Sequence, residues 1–232
     1  MSDATPPLNE KTIVQNYFNT TGFDRWRRIY GTDAVSKVQA DIRAGHQQTI
    51  DTVLAWLQAD GNLKGKLFCD AGCGVGSLSI PLAQLGARVY ASDISEKMVT
   101  EAQARAAAAL NGHHELILSV SDLEALRGQY HTVICLDVLI HYPDAQMAGM
   151  LAHLSSLAME RLILSFAPKT PKYTLLKKIG EFFPGSSKAT RAYLHSEAEI
   201  VEQLQVLGWR IERNAMTKTR FYFSRLLEAV RA

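Results

Sequence analysis

Between Lys66 and Pro168, short apolar runs alternate with longer stretches whose apolar residues recur every three or four positions. Runs of that length suit strands buried on both faces, and the longer stretches suit helices crossing back over a sheet. The predicted strands are KLFCD (66–70), ARVYASD (87–93), HELILSV (114–120), YHTVICLD (130–137) and RLILSFAP (161–168). The predicted helices are SLSIPLAQLG, the alanine-rich EKMVTEAQARAAAALNG, Asp144–Leu157 and EAEIVEQLQVLG (197–208). Gly86 and the pair Asn111-Gly112 stand where helices stop. Two closing strands, WRIERNAM and TRFYFSRLLEAV, lie only a few residues apart and should pair as an antiparallel hairpin. The expected fold is therefore α/β, with five parallel strands that finish in a hairpin.

Two segments fall outside this alternation. Residues 1–64 look largely helical and form an N-terminal arm or cap, leaving 65–232 as the core. The second is the insertion KTPKYTLLKKIGEFFPGSSKATRAYLH (169–195), which leaves the carboxyl end of the fifth strand. Ligands of open α/β sheets sit beyond those ends, so both segments are expected to flank the ligand.

Composition narrows the options. A chain of 232 residues accommodates one such domain with appendages, and its 21% charged residues and net charge of +2 imply no general attraction to nucleic acid. No apolar run approaches the roughly 20 residues of a membrane helix, and MSDATPPLNEK does not read as a signal peptide. A cytoplasmic protein is expected. Cys69, Cys73 and Cys135 form neither a disulfide framework nor a zinc-site spacing, and no protein-held metal is expected.

The chemistry begins at Asp70-Ala71-Gly72-Cys73-Gly74-Val75-Gly76-Ser77, directly after a strand and before a helix. Glycines there let a ligand approach the backbone and its amide hydrogens. A dinucleotide fingerprint would need glycine where Ser77 stands, and Asp70 would repel a pyrophosphate, so a ligand carrying a cation is expected. Asp93 ends the second strand and offers two acceptors to a ribose. Ile94, Met98 and Leu123 suit the faces of an adenine, with Asp122 accepting from its amine. This set resembles the class I S-adenosylmethionine-dependent methyltransferases, in which a D-x-G-x-G loop holds the methionine part of the cofactor. The resemblance implies a Rossmann-like sheet with the same hairpin finish, and S-adenosylhomocysteine as the product.

The acceptor must be read from the appendages, because a fold does not name a substrate. YFNTTGFDRWRRIYG (17–31) sets five rings beside three arginines, and the insertion adds six basic residues and four rings against one acid, Glu181. Rings that stack and guanidinium forks that grip carboxylates suit a large planar ligand with an anionic rim. Candidate substrate contacts are Arg25, Trp26, Arg28, Lys172, Tyr173 and Arg191. The same surface also suits RNA or an anionic membrane.

These two stretches, with KVQADIRAGHQQTIDTVLAWL and FYFSRLLEA, resemble the magnesium-protoporphyrin IX methyltransferases of chlorophyll biosynthesis. The resemblance implies methyl transfer to one propionate of magnesium protoporphyrin IX, giving the monomethyl ester, with magnesium present only as part of that substrate. It also implies porphyrin delivery by the large subunit of magnesium chelatase and peripheral contact with photosynthetic membranes. A propionate has a pKa of roughly 4 to 5 and is already an anionic nucleophile, so positioning matters more than a strong base. His141 and Tyr30 are the expected positioning groups, with His46 and His195 as weaker candidates. The rival readings are a methyltransferase acting on a quinone or phenol, where His141 would be the base, and a porphyrin carrier.

Overall fold

A computed structural model of the chain describes residues 10–111, 114–170 and 192–232. Three helices come first: α1 (Glu10–Asn19), α2 (Phe23–Ile29) and α3 (Lys37–Ala59). Alternation follows through β1 (Leu67–Ala71), α4 (Ser79–Gln84), β2 (Arg88–Asp93), α5 (Glu96–Ala109), β3 (Leu116–Val120), β4 (Tyr130–Cys135), α6 (Asp144–Leu157) and β5 (Ala158–Phe166). Then come α7 (Glu197–Val206), β6 (Trp209–Lys218) and β7 (Phe223–Arg231). The sheet has seven strands in the order β3-β2-β1-β4-β5-β7-β6; β1 to β5 are parallel, and β7 runs antiparallel to both neighbours. The Rossmann-like class I methyltransferase sheet with its closing hairpin is thus present.

Side-chain alternation assigns each strand's residues to two layers. Val133, Cys135, Leu162 and Leu164 meet Met147, Leu151 and Leu154 of α6 and Ile200 and Leu204 of α7. Ile134 and Ile163 face the other way, toward Ile50, Val53 and Leu57 of α3 and Leu82 of α4. Each such side chain contributes about 1.5–3 kcal/mol by leaving water. The apolar face of α3 therefore belongs to the sheet's covering layer, whereas α1 and α2 rest on α5. Ser36 starts α3 with a capping box, accepting from Gln39 N while the Gln39 side chain accepts from Ser36 N.

Three of the boundaries that differ from the sequence expectation do so for a local reason. β3 begins two residues late because the His114 ring turns to the carbonyls of Ala83 and Asn111. β4 stops at Cys135, since Asp137 adopts a left-handed backbone with φ 58°, which no strand continues through. β5 starts at Ala158, following α6 without a loop. The β5-β7-β6 region is pinned by Glu228, which is fully buried and ion-paired to Arg161 at 3.0 Å and to Arg213.

Candidate functional site

β1 runs into a turn in which Gly72 and Cys73 both donate to the Ser92 carbonyl at 2.8 Å. Gly72 has φ 88°, and an added Cβ would stand 2.1 Å from Val138 Cγ2, so the turn after β4 closes against bare backbone. Gly74, at φ 53°, has nothing within 4 Å of where a Cβ would be, which leaves its face open to a ligand. Asp93 organises this loop from β2: Oδ2 accepts from Gly74 N at 3.0 Å and Oδ1 from Ser95 N at 2.9 Å. Each oxygen keeps a lone pair for a hydroxyl.

A cavity of about 480 Å³ opens over this loop, within the range for a drug-sized ligand. Gly72, Gly74, Asp93, Ile94, Met98, Asp122 and Leu123 line it, as do Tyr30 and His141. These nine were expected from sequence and are brought together here. Helix α1 forms the opposite wall through Lys11, Val14 and Phe18. Lys11 Nζ pairs with Asp122 at 2.6 Å and Glu124 at 3.1 Å, and Asp122 also caps the 3-10 turn Leu123–Ala125 by accepting from Ala125 N at 2.8 Å. The Lys11 contact holds the Asp122 carboxyl below its usual range.

Asp70 sits apart from the other motif residues. Its side chain does not line the cavity but lies buried beneath the loop, accepting from Ser79 Oγ at 2.5 Å. Burial and the charge of Asp93 push its carboxyl up to about 6, against the opposing Ser79 hydrogen bond and the nearby His46. The three N-terminal substrate contacts are also placed differently: Arg25, Trp26 and Arg28 do not line the cavity. The Trp26 ring packs between Phe18 and Tyr30, with Nε1 donating to Tyr17 Oη at 3.2 Å. The Arg25 guanidinium lies 5.6 Å over that ring, and Arg28 Nε donates to the Asp24 carbonyl at 3.3 Å. In the short α2, Ile29 is buried, Arg28 is exposed, and Phe23, Arg25, Trp26 and Arg27 are half-buried. Lys172, Tyr173 and Arg191 lie outside the described residues.

Tyr30 and His141 differ in character. Burial, aided by Asp137 and Asp93, holds the Tyr30 phenol well above its ordinary value, so it remains an O–H donor. Its backbone carbonyl is gripped by Arg105. His141 ends a 3-10 turn, Leu139–His141; burial lowers its pKa to about 4 despite Asp137, and its buried Nδ1 has no partner among the described residues. It is a neutral imidazole set edge-on to Phe18 at 5.7 Å.

Comparison with known proteins bears directly on this arrangement. A family model described as "Magnesium-protoporphyrin IX methyltransferase C-terminus" matches residues 135–231, and one described as "Methyltransferase domain" matches residues 68–159. The magnesium-protoporphyrin O-methyltransferase of Synechocystis is 64% identical over 225 residues, covering 97% of this chain and 98% of that one. The chain belongs to the magnesium-protoporphyrin O-methyltransferase family. The chloroplastic magnesium protoporphyrin IX methyltransferase of Arabidopsis thaliana is 58% identical over 222 residues, covering 95% of this chain and 71% of that one. The crystal structure of the Synechocystis enzyme with bound SAH matches with a TM-score of 0.88 at 62% identity, covering 97% of this chain and 100% of that one.

The residues present fit a cationic nucleoside cofactor. Gly74 leaves an open face, Asp93 retains acceptor capacity, and an uncompensated carboxyl at Asp70 lies beneath the loop. Residues that sequence reasoning undervalued complete the site. His46 Nδ1 contacts Asp137 Oδ2 at 2.9 Å, and the Tyr30 ring lies 4.3 Å from the His46 ring. Burial opposes ionisation of Asp137, but His46, Tyr222 and Ser165 together hold its carboxyl below the usual range. His195 is buried, contacts Asp144 Oδ1 at 3.0 Å and donates to the Leu139 carbonyl at 2.9 Å, fastening the turn that carries His141. The only advance signals were a helical histidine in RAGHQQ and an acid at the end of ICLD.

Proposed function

We propose that this chain transfers the methyl group of S-adenosylmethionine to a propionate carboxylate of magnesium protoporphyrin IX, giving the monomethyl ester. When bound, the cofactor supplies an electrophilic methyl on a sulfonium. The chain's residues do the rest by binding, orientation and removal of water. Gly72 and Gly74 admit the methionine part, Asp93 accepts from the ribose, and Asp122 and the apolar Ile94, Met98 and Leu123 take the adenine end. Tyr30 and His141 lie on the substrate side, where a phenol O–H and a neutral imidazole can orient the attacking oxygen without taking its proton. The wall of rings above them keeps the site dry, which sharpens a carboxylate nucleophile.

The observation that carries this reading over a phenol acceptor is the state of His141. A histidine lowered to about 4 is a poor match for a phenol proton near pKa 10 and is not needed by an acceptor already ionised at neutral pH. His141→Ala should therefore cost about tenfold or less in kcat/KM, the scale of one neutral hydrogen bond, with a flat profile above about pH 6. A loss of 10² to 10⁴ with steep pH dependence would instead mark general-base catalysis. The deciding experiment incubates the protein with labelled S-adenosylmethionine and either magnesium protoporphyrin IX or the metal-free porphyrin, then separates the products by chromatography. Label in the magnesium monoester is expected, and no ester from either rejects the reading.

Two finer parts belong to the same proposal. Porphyrin delivery by the large subunit of magnesium chelatase should lower the apparent KM for the porphyrin when that subunit is added. A cytoplasmic protein in peripheral contact with photosynthetic membranes should co-sediment with anionic vesicles at low salt, consistent with the absence, among the described residues, of a helix long and apolar enough to cross a membrane.

A further inference from the structure

The most elaborately built polar group in the cavity wall is Asp137. Its Oδ1 receives Ser165 Oγ at 3.0 Å, Ser224 Oγ at 3.2 Å and Tyr222 Oη at 3.0 Å. Its Oδ2 receives Tyr222 Oη at 2.8 Å and His46 Nδ1 at 2.9 Å. These donors come from β5, β7, the β6–β7 connection and α3, four separate parts of the fold. The backbone is bent to suit: Asp137 is the non-glycine residue with positive φ among those described. Strain of this kind persists where the surroundings over-determine it, and it clusters at functional sites.

Supports are arranged behind the pair as well. Thr49, one turn along α3 from His46, bonds Thr217 Oγ1 at 2.9 Å and Tyr222 Oη at 3.2 Å. At Gly45 an added Cβ would stand 2.3 Å from the Tyr222 ring, so a bare backbone lets that ring approach α3. Asp137 and its supports thus hold the His46 ring in place.

A carboxylate accepts only, so the His46–Asp137 contact places a proton on Nδ1 and leaves Nε2 as the variable atom. Nε2 has no partner among the described residues, and His46 lines the cavity beside Tyr30. Among the described residues His141 lacks such support, since its Nδ1 is buried without a partner there. We propose that His46, its Nδ1 fixed on Asp137, is the residue that grips the acceptor carboxylate, donating to it from Nε2. This rests on the porphyrin reading above and deepens it by naming the group that selects a free carboxylate. Bond-making is untouched: the carboxylate forms the bond to carbon, the carbon–sulfur bond breaks toward sulfur, and His46 keeps its protons.

The test compares three ligands with the wild type and His46→Gln: magnesium protoporphyrin IX, its dimethyl ester and the metal-free porphyrin, each titrated by fluorescence in the presence of S-adenosylhomocysteine. One charge-assisted hydrogen bond corresponds to roughly 10- to 100-fold in affinity. The variant should lose that much for both free acids and stay within about twofold for the diester, with affinity for S-adenosylhomocysteine unchanged. Equal weakening of all three ligands would mean a packing role and would overturn the proposal. Weakening of both magnesium forms, with the metal-free porphyrin spared, would mean an axial magnesium ligand and would overturn it too. Asp137→Asn, which keeps the shape but not the charge, should reproduce the free-acid loss if His46→Gln fails to fold, and unchanged free-acid binding in it counts against the proposal. Wild type that makes no ester fails the porphyrin reading, whereas wild-type turnover with intact free-acid binding in the variants fails this inference alone.

Discussion

Asp70→Asn is expected to yield a protein that is more stable at pH 8 and binds its cofactor less tightly. Burial and Asp93 raise the Asp70 carboxyl from 3.8 to about 6. The sign follows from linkage: the folded state holds this proton more firmly than the unfolded chain does. The associated stability is complete below about pH 4 and is lost as pH rises through about 6. By pH 8 the ionised, buried carboxylate costs on the order of 3 kcal/mol, from about 1.4 kcal/mol per tenfold change in proton affinity. Asparagine stays neutral and still accepts from Ser79 Oγ, so urea unfolding should show a gain of roughly 2–3 kcal/mol at pH 8 and little at pH 4. The carboxylate's use is electrostatic, because a cationic ligand above the loop relieves it. S-Adenosylmethionine should bind roughly tenfold more weakly to the variant, about 1.4 kcal/mol, and S-adenosylhomocysteine, which lacks the sulfonium charge, should lose less. A variant destabilised at pH 8, or with both ligands bound as before, would remove this account.

Asp93→Ala should be the most damaging single change to cofactor binding. It removes the acceptor of Gly74 N and Ser95 N, which loosens the loop and the first turn of α5 together, and it removes the proposed ribose contact. Hydrogen bonds to a charged group contribute about 1.5–3 kcal/mol each, so cofactor affinity should fall by roughly 10²- to 10³-fold. Calorimetric titration of S-adenosylmethionine measures this, and turnover at saturating cofactor should recover much further than affinity does. Asp93→Asn should lie between, since an amide retains one acceptor. A loss below about fivefold would mean that the loop holds its shape from the glycines alone.

The sheet was legible because its signal is local. Strands buried on two faces read as apolar runs, and the D-x-G-x-G turn announces itself by glycines that no other residue replaces at φ 88°. Asp93, Ile94, Met98 and Asp122 were legible for a related reason: each stands within a few residues of a strand end, where this sheet meets ligands. Asp70 was half legible. The motif named it, but its depth beneath the loop depends on the partner helix that brings Ser79 to it.

The pairing of His46 with Asp137 was not legible, because it spans 91 residues and depends on four elements closing on one carboxylate. A helix with apolar positions at Ile50, Val53 and Leu57 gives no hint of which strand end its polar residues reach. The places of the arginines in RWRRIYG were not legible either. In this seven-residue helix Ile29 is buried and the Trp26 ring packs between Phe18 and Tyr30. Arg43 on α3 then satisfies the helix end, donating to the carbonyls of Arg28 and Ile29 at 2.6 and 2.9 Å.

The position of β7 bears on how the molecule is made. That strand, residues 223–231, lies between β5 and β6, and its Glu228 is the buried carboxylate that Arg161 and Arg213 surround. A ribosome releases β7 after every other strand, so until then β5 exposes an unpaired edge and Arg161 lacks its buried partner. The nascent chain must carry that open edge from the end of β5 at Phe166 until β7 begins at Phe223, the state in which sheet proteins pair wrongly with one another. Completion of the sheet is thereby deferred until β7 has emerged, long after the cofactor loop.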